Sequence, residues 1–259
     1  MRRLGRSVSR SGVGVHSGRA CAVTLSPAPW GTGLQLRVGA HTALAHVRAA
    51  VAPGGCSVLR VGPHTVAVVE HLLAALVVSE VTDGWIDVEG PEIPILDGSA
   101  LPWWEAIHEA GLDDGPASEP RAVDRVVHVQ SHGGEAWLRP DPGLRVSVEV
   151  AFPSLTGGAA ITLPGAFETE VAPARTFVLA EDVERLRAAG RGRGATSANT
   201  VVWGAPGALR FPDEPVRHKL LDAIGDLGLA GGPIRGHLHV VRGSHALHQA
   251  VLRAWLEPS

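Results

Sequence analysis

His218, Asp222 and Asp226 recur every four residues within the stretch Arg-His-Lys-Leu-Leu-Asp-Ala-Ile-Gly-Asp that spans residues 217–226. On a helix the three share one face, while Leu220, Leu221, Ile224 and Leu227 supply apolar packing surface. A histidine and a carboxylate one helical turn apart can hold a single metal ion from one rigid element. Lys219 sits inside this group and is the only lysine of the chain, which otherwise uses arginine, has no tyrosine and has no methionine beyond Met1. That bias is typical of a GC-rich genome, and a lysine surviving it marks a position that needs a compact ammonium rather than a planar guanidinium. A second dense segment, Val-Glu-His-Leu-Leu-Ala-Ala-Leu at 69–76, opens with the adjacent pair Glu70 and His71. Alone, such a pair is most simply a solvated part of a helix. Joined to His218 and Asp222 it completes a catalytic metal set: two histidines and a carboxylate bind zinc with one position open, and the neighbouring glutamate can take a proton from water.

The elements that must position these groups follow from pattern. Residues 66–78 lack a breaker and are rich in Leu and Ala, so a helix is expected there, with Thr65 as its N-cap. Short alternating runs between Cys21 and Val61, broken by Gly and Pro, read as strands, as does 85–88, and a helix is expected over 102–110. Asp-Asp-Gly-Pro-Ala-Ser-Glu-Pro at 113–120 is the one polar, proline-rich linker. Beyond it the plan repeats. Strands are expected at 126–130, 136–138 and 144–152, a helix at 180–189, a strand at 200–203, the helix carrying His218, a strand at 236–241 and a last helix at 245–255. The expected fold is therefore α+β, with two similarly built domains, each a small, mostly antiparallel sheet packed with two helices, and the active site between them. The domains are placed at 1–114 and 121–259, with the linker at 115–120.

Composition limits the alternatives. The chain has 259 residues, 45% of them hydrophobic and 19% charged, with a formal net charge of −3. There is ample material for a core and no basic excess of the kind nucleic-acid binding needs. Two cysteines, Cys21 and Cys56, are too few for a disulfide framework, so a cytoplasmic protein is expected. The start, Met-Arg-Arg-Leu-Gly-Arg, has no apolar run behind it and is not a secretory signal. The longest apolar run, near 72–78, is far short of the roughly 20 residues that span a bilayer.

Five segments, taken in order, resemble one family. They are residues 69–76, Gly-Pro-Glu-Ile-Pro-Ile-Leu-Asp-Gly-Ser at 90–99, Ala-Arg-Thr-Phe at 174–177, residues 217–226, and Gly-Ser-His-Ala-Leu at 243–247; Gly-Val-Gly-Val-His-Ser-Gly at 12–18 looks like that family's opening segment. The family is that of the UDP-3-O-acyl-N-acetylglucosamine deacetylases, zinc amidases of lipid A biosynthesis, and the likeness runs nearly end to end. It implies His71, His218 and Asp222 as zinc ligands and Glu70 as the general base toward the attacking water. It implies His245 as the acid that protonates the leaving amine, with Asp226 orienting it. Thr176 would hydrogen-bond the developing oxyanion, and Phe177 would lie against the glucosamine ring. Lys219 would meet the substrate's diphosphate or stabilise the site, and Arg139 would contact a phosphate. The partner implied is a UDP-sugar or lipid-linked sugar, met by a monomer with no membrane span, contact with a membrane surface being left open.

Other residues receive no role. His41, His46, His64, His108, His128, His132 and His248 lack a partner pattern and read as structural or solvated. His237 and His239 alternate on one expected strand and read the same way, whereas His16, in the family-like turn, is open between the metal site and a structural role. The 90–99 segment, with its prolines and glycines, reads as a rigid loop, and Trp103-Trp104 as core. One departure concerns the lipid. Family members bury a long 3-hydroxyacyl chain partly against the segment after Thr176-Phe177, where this chain reads Gly-Arg-Gly-Arg-Gly at 190–194. A guanidinium buried unpaired beside a fatty chain is costly, so Arg191 and Arg193 either turn outward or shorten the passage. The chain is also shorter than typical members, and Ser244 stands where a second glycine is usual. Three other readings stay open: a related deacetylase for an amino sugar without the long chain, a non-catalytic sugar-binding homologue, and a metal-dependent phosphohydrolase.

Overall fold

Alternation of inward apolar and outward polar side chains builds two sheets of the same plan, one in each half of the molecule. The computed structural model describes residues 1–51, 55–152 and 154–257. The N-terminal half contains β1 (Arg2–Leu4), β2 (Val8–Val13), β3 (Ala20–Ser26), β4 (Leu34–Val38), β5 (His41–Leu44), β6 (Val58–Val61), β7 (His64–Ala67), α1 (Glu70–Val78), β8 (Gly84–Glu89), α2 (Leu101–Ala110) and β9 (Leu112–Asp114). The C-terminal half contains β10 (Arg121–Ala122), β11 (Val127–Ser131), β12 (Gly134–Arg139), β13 (Leu144–Phe152), β14 (Leu155–Thr162), β15 (Phe177–Leu179), α3 (Val183–Ala188), β16 (Val201–Trp203), α4 (Glu214–Leu227), β17 (Ile234–Val241) and α5 (His245–Leu256).

The N-terminal sheet runs β2-β3-β8-β4-β5 and the C-terminal sheet β11-β12-β17-β13-β14. In each, the strand that comes last in the chain inserts at the centre and makes the one parallel pairing along that path, β8 with β4 and β17 with β13. In each, one helix immediately precedes that strand and one follows it. The fold is α+β with two like-built halves, as the sequence pattern suggests, and the likeness extends to strand order, which no sequence period shows. The preceding helices, α1 and α4, pack against each other where the halves meet. Leu72, Leu73 and Leu76 join Leu220, Leu221, Ile224 and Leu227 there in one buried cluster. The two backbones come unusually close at Gly225, where a Cβ would lie 2.1 Å from the Glu70 carbonyl oxygen. Only glycine allows that approach, which brings the N-terminal turn of α1 against the last turn of α4.

Some local expectations give way. α1 starts at Glu70 and not after Thr65, because residues 64–67 pair with β6 as a hairpin. Between strand and helix, Val68 adopts φ 62°, a costly conformation for a β-branched residue. β14 goes unread in the sequence because Thr-Gly-Gly-Ala-Ala has little strand preference; it is held by pairing along the whole of β13. Asp113 and Asp114 belong to β9, which pairs with β1, so they are not linker residues. We propose that the domain boundary lies in the following stretch, 115–120, which carries no strand or helix. Cys21 and Cys56 are both buried and unpaired, and among the described residues no helix is long and apolar enough to cross a membrane.

Candidate metal centre

The strained turn at Val68 has a builder. Ser57 O accepts from the amides of Val68 (2.9 Å) and Val69 (3.4 Å), and Ser57 N donates to Glu70 Oε2 (3.0 Å). This clamp fixes Glu70 and His71 on the first turn of α1, where the helix dipole favours a carboxylate. From the other half, α4 presents His218, Lys219, Asp222 and Asp226. Arg175 and Glu214 form a buried pair (Nε to Oε1, 2.8 Å) that fastens residues 174–177 onto the start of α4. That in turn puts the Ala174 carbonyl 2.9 Å from His218 Nδ1 and carries Thr176 and Phe177 into the cavity wall.

His71, His218 and Asp222 are all buried, and their ligand atoms lie within 4.8 Å of one another. His71 Nε2 is 4.0 Å and His218 Nε2 3.3 Å from Asp222 Oδ1. Burial first, then the other's ring, pushes His71 down to about 3, and burial likewise lowers His218, so both rings are neutral at ordinary pH. With Nδ1 committed as donor to Ala174 O, the Nε2 lone pair of His218 faces a carboxylate oxygen at contact distance. Two acceptors facing each other repel unless a cation lies between them. The donor set, two imidazoles and a carboxylate with the second nitrogen of one ring tied to a carbonyl, therefore fits a metal ion. Burial opposes ionisation of Asp222, but the positive charge around it, that of Lys219 first, outweighs it and holds the carboxyl far below its usual range. Lys219 Nζ donates to Asp222 Oδ2 at 2.8 Å.

Glu70 and His245 flank this set, with His245 Nε2 3.7 Å from Glu70 Oε1 and 3.9 Å from Asp222 Oδ2. Burial raises Glu70 to about 7, partly offset by His245. For His245 burial works the other way, yet Asp226 and Glu70 overcome it and raise the imidazole to about 9. Asp226 binds His245 Nδ1 through Oδ2 at 2.7 Å and takes a bond from Ser57 Oγ at Oδ1. Ser244 is the N-cap of α5 and accepts from Leu247 N (3.3 Å), so the serine in place of glycine serves the helix start that carries His245. A cavity of about 220 Å³ opens over the group, lined among others by Glu70, Thr176, Phe177, Lys219 and Phe152.

The structure thus gathers nine of the ten residues given roles above. Arg139 is the exception: it is exposed at the end of β12 with its guanidinium over Trp137, and it is not among the cavity-lining residues. His237 and His239 bond Ser147 on the outer face of the C-terminal sheet. Glu92 and Asp97 of the 90–99 loop make structural contacts, Glu92 accepting from the amides of His16 and Ser17 and Asp97 from Arg210.

Three functional residues escape a reading of the sequence: Ser57, Glu214 and His248. The last reads from sequence as structural or solvated, yet it is 1% exposed and its Nδ1 shares Asp226 Oδ2 with His245, also at 2.7 Å. Its spacing of three from His245 on α5 was the available signal. Two donors on one oxygen fix the rotation of the carboxylate that aims His245. His248→Ala should therefore lower kcat of a reaction that uses His245 as its acid by about 10- to 100-fold, the worth of one hydrogen bond to a charged group, with metal content and KM unchanged. His248→Asn, which restores an N–H to Asp226, should recover part of the loss. Wild-type kcat in His248→Ala would reduce the residue to packing.

The family model for UDP-3-O-acyl N-acetylglycosamine deacetylase, LpxC, matches residues 1–257. A UDP-3-O-acyl-N-acetylglucosamine deacetylase of Thermosynechococcus vestitus is 41% identical over 98% of this chain and 93% of its own length. Proteins of the same name from Anaeromyxobacter dehalogenans and Phenylobacterium zucineum are each 39% identical, over 97% and 94% of this chain and 86% and 89% of their own. The likeness covers both sheets and every element that supplies a donor. With agreement at that extent, the chain belongs to the UDP-3-O-acyl N-acetylglycosamine deacetylase family.

Proposed function

We propose that the protein is a zinc-dependent deacetylase that removes the 2-acetyl group of a UDP-linked, 3-O-acylated N-acetylglucosamine in lipid A biosynthesis, releasing acetate. One observation carries the reading: a buried His71, His218 and Asp222 set with Glu70 and His245 beside it, 3.7 Å apart. A binding module has no use for a base and an acid so close together, and a two-metal phosphohydrolase would need more carboxylates.

His71, His218 and Asp222 would hold the ion, which when bound polarises the amide carbonyl and acidifies water. Glu70, made more basic by burial, takes a proton from the attacking water as its oxygen forms the new bond to the carbonyl carbon. Thr176 donates a hydrogen bond to the oxygen that gains charge. An amine leaves poorly, so the C–N bond breaks as His245, kept protonated by Asp226, delivers a proton to nitrogen. The proton taken by Glu70 can then return to His245 across their 3.7 Å separation, which resets both groups. Phe177 packs on the sugar ring, and Lys219 both orients Asp222 and supplies a positive charge toward the diphosphate. The unpaired cysteines support a cytoplasmic setting.

Acetate release by zinc-loaded protein tests the reading. UDP-N-acetylglucosamine carrying a 3-O-acyl group should be turned over faster than the unacylated sugar, chelation should abolish activity, and zinc should restore it. Equal rates on the two sugars would remove the lipid A assignment.

A further inference from the structure

The segment joining β15 to β16 is sewn to the N-terminal turn by two backbone bonds, Arg193 N to His16 O (3.2 Å) and Gly194 N to Val15 O (3.0 Å). The stitching sends the two arginines apart. Arg193 is exposed, whereas Arg191 is half-buried and points Nη2 at His16 Nε2, 2.7 Å away. Its guanidinium also lies 3.2 Å from where a Cβ on Gly55 would stand. Burial, then the Arg191 charge, brings His16 down to about 4, so a neutral ring accepts this bond. Among the described residues that is Arg191's one side-chain hydrogen bond, and no carboxylate pairs with it.

Gly55 lines the active-site cavity, and its neighbour Cys56 belongs to a small apolar cluster with Val15, Val68 and Ile95. A chain esterified to O3 leaves the sugar on the carbon next to the one bearing the acetamide. Its first carbons must therefore lie against the same walls as the reacting amide. The cavity, about 220 Å³, is smaller than the roughly 300–1,000 Å³ typical of ligand sites. That cluster is packed and buried, and the Arg191 guanidinium lies beside Gly55 at its edge, so a chain extended past Gly55 would have to cover a charge, which is costly against alkyl carbon.

We infer that Arg191 is a specificity-determining residue: it ends the acyl site at Gly55 and restricts this deacetylase to short 3-O-acyl chains. The inference rests on the proposed activity, and the two fail differently. With zinc-loaded protein and substrates carrying acyl chains of about 4, 8 and 14 carbons, wild-type kcat/KM should stop rising after the shortest. Arg191→Leu should raise the long-to-short ratio, by up to about fourfold for each added methylene it admits. Arg191→Gln, which removes the charge with a shorter but still polar side chain, provides a second reading should the leucine variant fold poorly. Arg193→Leu, at the exposed position, should leave the wild-type profile as it is. A wild-type preference for the longest chain, or an unchanged ratio in both Arg191 variants, overturns the inference while leaving deacetylation intact. No acetate from any acylated sugar defeats the activity itself.

Discussion

Glu70→Gln should keep a full complement of metal and lose turnover by about 10²- to 10⁴-fold, the usual contribution of a positioned acid–base group. The substitution is nearly isosteric. A glutamine carbonyl can still accept from Ser57 N, so the turn that places His71 survives, while the group that removes the proton does not. Zinc content and single-turnover acetate release should therefore separate cleanly. Turnover within tenfold of wild type would hand the base role to another group. The pH profile gives an independent check. Burial sets Glu70 at about 7 and Asp226 with Glu70 sets His245 at about 9, and the reaction needs the first deprotonated and the second protonated. Activity should fall as pH drops through the Glu70 ionisation and again as pH rises through that of His245. A bound cation, by adding positive charge beside Glu70, shifts the acid limb lower. The acid limb should vanish in Glu70→Gln, and the alkaline limb should remain.

The parts of this site that could be read from sequence are those written along a single element. His218, Asp222 and Asp226 repeat with the helical period on α4, so their shared face follows from geometry alone. The two-domain plan is legible for the same reason, since strand alternation and breaker residues act locally. What stays hidden depends on partners distant in the chain. Ser57 has no motif of its own, yet it ties Glu70 to Asp226, residues 156 positions apart, through its amide and hydroxyl. Glu214 looks like an ordinary acidic helix start until Arg175 is brought to it. His248 resembles any helical histidine until Asp226 is placed beside it. β14 and the later start of α1 depart from expectation because pairing with a neighbouring strand overrides weak local preference. Gly225 is the sharpest case, for nothing near it in sequence shows that the α1 backbone will lie against it.

His218→Ala should strip both metal and activity, and it also decides among three candidate ion sites. The described residues contain three overlapping groups with ligand spacing: His71 with His218 and Asp222, Asp226 with His245 and His248, and Glu70 with Asp222 and His245. Their hydrogen bonding distinguishes them. In the second group both rings already meet one oxygen of Asp226 at 2.7 Å through Nδ1, while Ser57 holds the other oxygen, so those atoms are engaged as donors and acceptors. The third relies on His245 Nε2, which stands in the same cationic ring that Asp226 and Glu70 stabilise. Only in the first do neutral rings turn lone pairs toward a carboxylate. Loss of an outer partner of a metal ligand costs about 10- to 100-fold in affinity, so loss of a ligand itself should cost more than about 100-fold. After dialysis against a weak chelator, His218→Ala should hold well under one zinc per chain, whereas Glu70→Gln and His248→Asn should hold one. A His218→Ala protein that retained zinc as firmly as wild type would move the ion to one of the other two groups, and with it the roles of Glu70 and His245.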